Sequence, residues 1–188
     1  MLTYFSSDWH LGHANIIKYD KRPFKDTEEM NRTIIQNYNS IVKLEDEFYF
    51  LGDFCMGDRS KAESYFQQLI PNKKFFIAGN HDGRETVELY KKYGTYLGKM
   101  AEIRVEGQGI TLNHYCMKVW NKSHHGNFHL YGHSHGSLPD DPNALSFDVG
   151  VNCWDYKPIS FEEVKRTMAK KTFKPIDHHG DPKRALTQ

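Results

Sequence analysis

Short runs of apolar, β-branched and aromatic residues alternate along the chain with stretches where apolar positions recur every three or four residues. The first kind predicts strands over residues 2–6, 47–51, 74–78, 101–105, 110–113, 128–131 and 145–149. The second kind predicts a helix over 27–42, with Met30, Ile34, Tyr38 and Ile41 as its buried stripe. Asp26 is placed to cap it and Glu29 to close a capping box. A second helix begins after Ser60, with Glu63 in the box position and Pro71 barring its continuation. A third covers 85–93 and stops at Gly94; the last starts after Ser160, with Glu163 in the box position, and frays near Lys171. Gly107-Gln108-Gly109 reads as a hairpin turn, so the later strands are partly antiparallel and the sheet is mixed. Strands alternating with helices make an α/β fold, a sheet layered with helices.

Composition narrows this picture. At 188 residues the chain suits one domain, over 1–170, followed by a polar, basic tail over 171–188 that has little to bury and is surface-lying or disordered. His178 and His179 fall in that tail and are expected to be solvated. A net charge of +1 argues against a polyanion binder driven by bulk charge. No apolar run approaches the roughly 18 residues of a membrane span. The start lacks the basic and apolar regions of a signal peptide and reads as mature protein. Cys55, Cys116 and Cys153 are widely spaced, with no CxxC, which disfavours a disulfide framework and points to a reducing cytoplasm.

Histidine changes the picture most, with eleven copies, several of them in short motifs at predicted strand ends. These are Asp8-Trp9-His10, Gly52-Asp53, Gly79-Asn80-His81-Asp82, Asn113-His114 and Gly132-His133-Ser134-His135. The carboxyl ends of strands are where open α/β sheets bind ligands. In extended chain, positions i and i+2 face the same way, so Asp8 with His10, and His133 with His135, are each expected to send two side chains into one cavity. Glycines 52, 79 and 132 let the backbone turn there without filling the space. Two carboxylates, four imidazoles and one amide, with no thiolate, suit divalent manganese, with iron, zinc or nickel as alternatives. Seven groups are too many for one ion that keeps an open position, whereas two ions receive four bonds each if one carboxylate is shared. A two-metal site clamps both oxygens of an in-line displacement, and phosphoester hydrolysis is the reaction it fits.

The order DxH, GD, GNHD, H, GHxH, each motif after a strand, resembles the calcineurin-like metallophosphoesterase superfamily, in particular its small single-domain bacterial and phage-type members. The motifs span Asp8 to His135 and the strand pattern runs to about Trp154, most of the chain. The resemblance implies a four-layer α-β-β-α sandwich of two mixed sheets flanked by helices. It implies Asp8, His10, Asp53 and His135 on a first metal ion and Asp53, Asn80, His114 and His133 on a second, with Asp53 as the bridge. His81 matches the family's histidine that lies near the phosphate and protonates the leaving group. The GDxxDRG of protein phosphatases is absent, since Gly52-Asp53 runs into Phe54-Cys55-Met56-Gly57, and the chain leaves no room for a large capping domain like that of the repair nucleases.

Other residues keep two readings. His13 contacts substrate phosphate or caps the short helix after it. Asp82 orients His81 or caps the next helix. Asn80 is a substrate contact as well as a ligand. Arg22, Arg59 and Arg84 are candidate phosphate or base contacts or ordinary surface cations, and Arg84 and His13 join Asn80 as the substrate-binding set. Residues 115–127 leave the site at His114 and form its rim, where Trp120 stacks a nucleobase or packs on the sheet edge. The expectation is a cytoplasmic dinuclear phosphodiesterase of small substrates, cyclic, dinucleotide or oligonucleotide esters. Metal-activated hydroxide is the nucleophile and His81 the acid. A phosphomonoesterase, a catalytically reduced scaffold and a nucleic-acid-binding protein are the alternatives. The expected partner is a small phosphorylated or nucleotide substrate, with no membrane and with nucleic acid only as a short substrate.

Overall fold

The first strand shows how the layers arise. In β1 (Thr3–Ser6) successive side chains point to opposite faces, and both faces are buried: Tyr4 enters one apolar cluster and Phe5 another. β2 (Glu47–Phe50) repeats the division, Phe48 and Phe50 against Tyr49 and Leu51, and β3 (Lys73–Ile77) repeats it with Phe76 against Ile77. Strands apolar on both faces belong in the middle of a layered molecule, which is the setting of parallel sheets. A computed structural model describes residues 1–177.

The first cluster lies between the sheet and three helices: α2 (Thr27–Ile41), α3 (Arg59–Gln67) and α4 (Arg84–Tyr93). A short α1 (Ala14–Tyr19) precedes them. The second cluster lies between this sheet and a second one, joined by Phe161, Val164 and Met168 of α5 (Phe161–Met168). The first sheet is completed by β4 (Thr95–Gly98) and β9 (Ile159–Ser160), in the order β4-β3-β2-β1-β9, all parallel except β9. The second comprises β5 (Met100–Val105), β6 (Gln108–Asn113), β7 (Phe128–Tyr131) and β8 (Ser146–Asp148) in sequence order, with only β5–β6 antiparallel. The fold is thus α/β, two mixed sheets flanked by helices. No helix among the described residues is long and apolar enough to cross a membrane.

Several local details differ from the sequence reading. Asp26 caps α2 as expected, accepting from the Glu29 N–H at 2.8 Å, but the Glu29 carboxylate reaches back to the Lys25 N–H rather than closing the box on Asp26. α3 starts at Arg59, not after Ser60, because Asp58 is its cap and accepts from the Lys61 N–H. The hairpin turn is Glu106-Gly107, one residue earlier than read, with φ of 49° and 87°, both in the left-handed region that a tight two-residue hairpin turn needs. β4 and β9 were not foreseen. Both lie at sheet edges, are short, and become strands only through their pairing partners.

The outer face of the second sheet carries a buried histidine. His129 Nδ1 donates to the Thr111 carbonyl at 3.0 Å and Nε2 accepts from the Met117 N–H at 3.0 Å, so the neutral ring has both nitrogens partnered. Burial, opposed by the Thr111 carbonyl, lowers its pKa from 6.5 to about 4. The unfolded chain therefore binds this proton first as pH falls. The stability His129 contributes is complete above its unfolded pKa of 6.5 and lost as pH falls toward 4, about 3 kcal/mol over that window. Urea unfolding in chelator should give a steeper fall from pH 6.5 to 4 in the wild type than in His129→Gln. Parallel curves would show that His129 does not carry the effect.

Residues 171–177 run along the surface beside the loop before β8. The Thr172 and Lys174 N–H groups donate to the Pro142 and Asn143 carbonyls, and Lys171 pairs with Asp140. The rest of the tail, with His178 and His179, lies outside the described residues. The three cysteines are free.

Candidate metal centre

Every motif singled out in the sequence sits just beyond the carboxyl end of a parallel strand: Asp8 and His10 after β1, Asp53 after β2, Asn80 after β3, His114 after β6, and His133 and His135 after β7. Trp9, between two of them, points the other way. It is fully buried among Tyr38, Phe48, Phe50 and Phe54, and its indole N–H donates to Ser6 Oγ. The core thus holds the loop from behind while its neighbours face the site.

The pairing of i and i+2 does not come from extended chain, which corrects the sequence argument. Asp8, His10, Asp53, His133 and His135 have φ between 48° and 67°, the left-handed region that non-glycine residues rarely occupy. The backbone turns at each of these residues, and such strain is kept where the surroundings over-determine it. Asp8 is held by the Ser7 hydroxyl and by the His133 N–H, at 3.1 and 3.0 Å from its two oxygens. Asp53 Oδ1 accepts the His81 N–H at 2.8 Å. Glycine is required at 52 for two reasons: its φ is 102°, and a Cβ there would lie 2.6 Å from Gly79 Cα and 2.8 Å from His114 Nδ1. Gly79 has no positive φ; a Cβ there would run into the Asp53 carboxylate, so close approach and not turning is its reason.

Two groups of side chains result, each able to hold an ion: Asp8, His10 and His135, and Asp53, His114 and His133. One oxygen, Asp53 Oδ2, faces both, 3.6 Å from His10 Nε2 and 3.3 Å from His114 Nε2. Asn80 Oδ1 joins the second group, 3.0 Å from His114 Nε2 and 2.9 Å from His133 Nδ1. The His10 and His135 Nε2 atoms face each other at 3.2 Å, and His135 Nε2 is 3.4 Å from Asp8 Oδ1. The outer nitrogens are fixed: His114 Nδ1 donates to the Leu51 carbonyl at 2.8 Å and His135 Nδ1 lies 2.7 Å from Asp20 Oδ2, which leaves each Nε2 directed inward. Converging carboxylate, imidazole and amide donors without thiolate fit a pair of divalent cations, and the buried, unpartnered Nδ1 of His10 shows that its ring is not placed by hydrogen bonding alone.

The electrostatics agree. Burial raises the pKa of Asp8 and Asp53, but the facing histidines more than offset it and hold both carboxyls low. Burial drives His10 down to about 3, while His114, pulled down by burial, is lifted to about 9 by Asp53 and Asp8. The first group is the deeper: Asp8 and His10 are buried, whereas Asn80 and His133 of the second are exposed.

His81 is exposed, with its ring centroid 5.3 Å from that of His10, and does not share Asn80's direction. His13 stands at the N-cap of α1 but makes no side-chain cap. Its Nδ1 is buried without a partner and its ring lies 5.7 Å from His10, so it faces the site. Asp82 neither orients His81 nor caps α4, whose cap is Gly83. Its carboxylate accepts the N–H groups of Asp53, Phe54 and Gly79 and the Tyr90 hydroxyl, stapling the β2 and β3 exits together. Asp82→Ala strands three backbone donors and should lower stability by about 3 kcal/mol, measured by denaturant unfolding. A loss within 0.5 kcal/mol would contradict this role.

Arg22 is not a substrate contact. It is buried, donates to the Asp8 and Trp9 carbonyls at 2.9 Å, and pairs with Asp20. Arg84 opens α4 exposed and, among the described residues, makes no hydrogen bond or ion pair with the ligands. Arg59 opens α3, likewise exposed. Trp120 packs: it is 6% exposed, lies tilted against His129 with ring centroids 5.3 Å apart, and donates to the Asn127 carbonyl. Sequence reasoning missed Asp20 and Asp148; the latter accepts the Gly136 and Gly150 N–H groups and pins the loop after β7. Neither stands in a motif, and no local signal marks them.

A family model described as calcineurin-like phosphoesterase matches residues 1–108, and the chain belongs to that family. Membership implies a metal-dependent phosphoester hydrolase. An uncharacterised protein of Methanocaldococcus jannaschii is 34% identical over 173 residues, 89% of this chain and 91% of that one. Among solved structures, a protein of unknown function from Aquifex aeolicus is similar with a TM-score of 0.69 and 25% identity, over 88% of this chain and 98% of its own. An archaeal phosphodiesterase shares the fold, with a TM-score of 0.51 and 16% identity over 80% and 84%.

Proposed function

We propose that the chain is a dinuclear metal-dependent phosphodiesterase of small esters, of cyclic, dinucleotide or oligonucleotide type. The observation that supports this most directly is Asp53 Oδ2, a single carboxylate oxygen within 3.6 Å of imidazoles from both donor groups. Asp8, His10, Asp53 and His135 would hold one ion and Asp53, Asn80, His114 and His133 the other, manganese suiting these donors, with iron, zinc or nickel as alternatives. When bound, such a pair of ions activates water and neutralises charge on the phosphoryl oxygens.

The chain's own residues do the rest. His81, exposed beside His10 and tethered through its N–H to Asp53, would hand a ring proton to the departing oxygen. His13, its ring 5.7 Å from that of His10, and Asn80, beside His114 and His133, would contact the phosphoryl oxygens, and Arg84, exposed at the head of α4, would meet the rest of the ester. Membership of the family, and the fold shared with an archaeal phosphodiesterase, support hydrolysis of phosphoesters. The test is a manganese-loaded sample assayed on bis(4-nitrophenyl) phosphate, 4-nitrophenyl phosphate, cyclic nucleotides and short oligonucleotides, with and without chelator. Diester kcat/KM should exceed monoester kcat/KM, and chelation should abolish both. A monoester preference would make the protein a phosphatase, and no hydrolysis by the manganese-loaded sample, or by samples loaded instead with iron, zinc or nickel, would reject the reading.

A further inference from the structure

Two large aromatic side chains stand exposed beside the metal centre, where packing gives them no reason to be. Tyr19 is 73% exposed and Tyr115 is 48% exposed. The Tyr115 ring lies against His133 and His114, with centroids 4.6 and 5.2 Å apart, and its N–H is fixed by the Asn113 side chain at 2.8 Å. The Tyr19 ring edges onto His13 at 6.4 Å. Each tyrosine lines a separate cavity. One, of about 500 Å³, runs from Asn80 and His114 of the second donor group to Tyr115, Tyr96 and Lys99. The other, of about 400 Å³, runs from His133 and His135 to Tyr19 and Lys21. Both volumes lie in the range of small-ligand pockets, about 300–1,000 Å³. The same pair, one exposed tyrosine and one lysine, thus recurs at both.

We infer that Tyr19 and Tyr115 are stacking platforms for the two bases of a dinucleotide-type phosphodiester whose phosphate lies at the metal centre. The inference rests on the phosphodiesterase reading and names the substrate class within it. An exposed ring presents a π face to any base, and the lysine beside it can donate a hydrogen bond to a base carbonyl oxygen. A monoester or a cyclic nucleotide carries one base and fills one cavity; two such cavities at one phosphate site suit an ester with a base on each side. Trp120, the tryptophan of the 115–127 rim, is buried and unavailable for stacking.

The test is calorimetric binding to the metal-loaded protein, with hydrolysis-resistant dithymidine phosphorothioate and O,O-diethyl phosphorothioate as probes of equal charge. The wild type should bind the dithymidine probe at least tenfold more tightly. Tyr19→Leu and Tyr115→Leu should each shrink that ratio about tenfold, and Tyr19→Phe and Tyr115→Phe should keep it, because stacking needs the ring and not the hydroxyl. Equal affinities for the two probes in the wild type, or a ratio untouched in both leucine variants, would overturn the inference. The wild-type comparison stands even if a variant fails to fold. Hydrolysis of bis(4-nitrophenyl) phosphate separates the two claims: turnover there with equal probe affinities leaves the phosphodiesterase reading standing without the stacking platforms. A high ratio without turnover on any ester does the reverse.

Discussion

Replacing Asp53 by Asn is expected to take metal content well below two ions per chain and to cut phosphoester hydrolysis by about a thousandfold or more. The substitution is nearly isosteric, so an amide oxygen can still accept the His81 N–H, and the loop should keep its shape. What it removes is the negative charge on the oxygen that faces both His10 and His114. A shared ligand serves two ions at once, and metal charge stabilisation is worth several kcal/mol, at about 1.4 kcal/mol per factor of ten. Asp8→Asn should lower occupancy less, since Asp8 faces only the first group. Elemental analysis beside kinetics decides it. Full occupancy and normal turnover in Asp53→Asn would remove the shared-carboxylate assignment.

His81→Ala should separate chemistry from metal binding. The Asn80 amide oxygen turns to His114 and His133, while the His81 ring stands over His10, exposed and outside both donor groups. Metal content should therefore stay at the wild-type level while turnover falls about 10²–10⁴-fold, the usual worth of general acid catalysis. The fall should be much larger for a nucleoside leaving group than for nitrophenolate, which departs without a proton. Equal losses on both would reassign His81 to phosphate positioning. Loss of an ion would make it a ligand.

Some of this was legible because its signal is local. Asp26, Glu29 and the stripe from Met30 to Tyr38 lie within a few residues of one another, and spacing of that kind states a helix, its start and its buried face. The ligand motifs were legible for a related reason: each is a short cluster of donors directly after a strand, and the resemblance of their order to a known superfamily supplied the two-sheet architecture. The hairpin was off by one residue, because Glu106 adopts a positive φ that composition gave no reason to expect of a glutamate.

The sequence by itself determined the strand and helix alternation, the donor types and their placement at strand exits, since these follow from period, caps and chemistry along the chain. Tertiary structure alone decided which nitrogen of His135 faces inward, because its partner Asp20 lies 115 positions away. It decided that Arg22 supports the Asp8 loop rather than a substrate, that Asp82 ties two loops and caps none, and that Trp120 is buried while Tyr19 and Tyr115 are exposed. It also set the left-handed backbone at five ligand residues, a conformation unfavourable to each alone. Such features are held by hydrogen bonds and packing between segments remote in sequence, so no local pattern of hydrophobicity or charge encodes them.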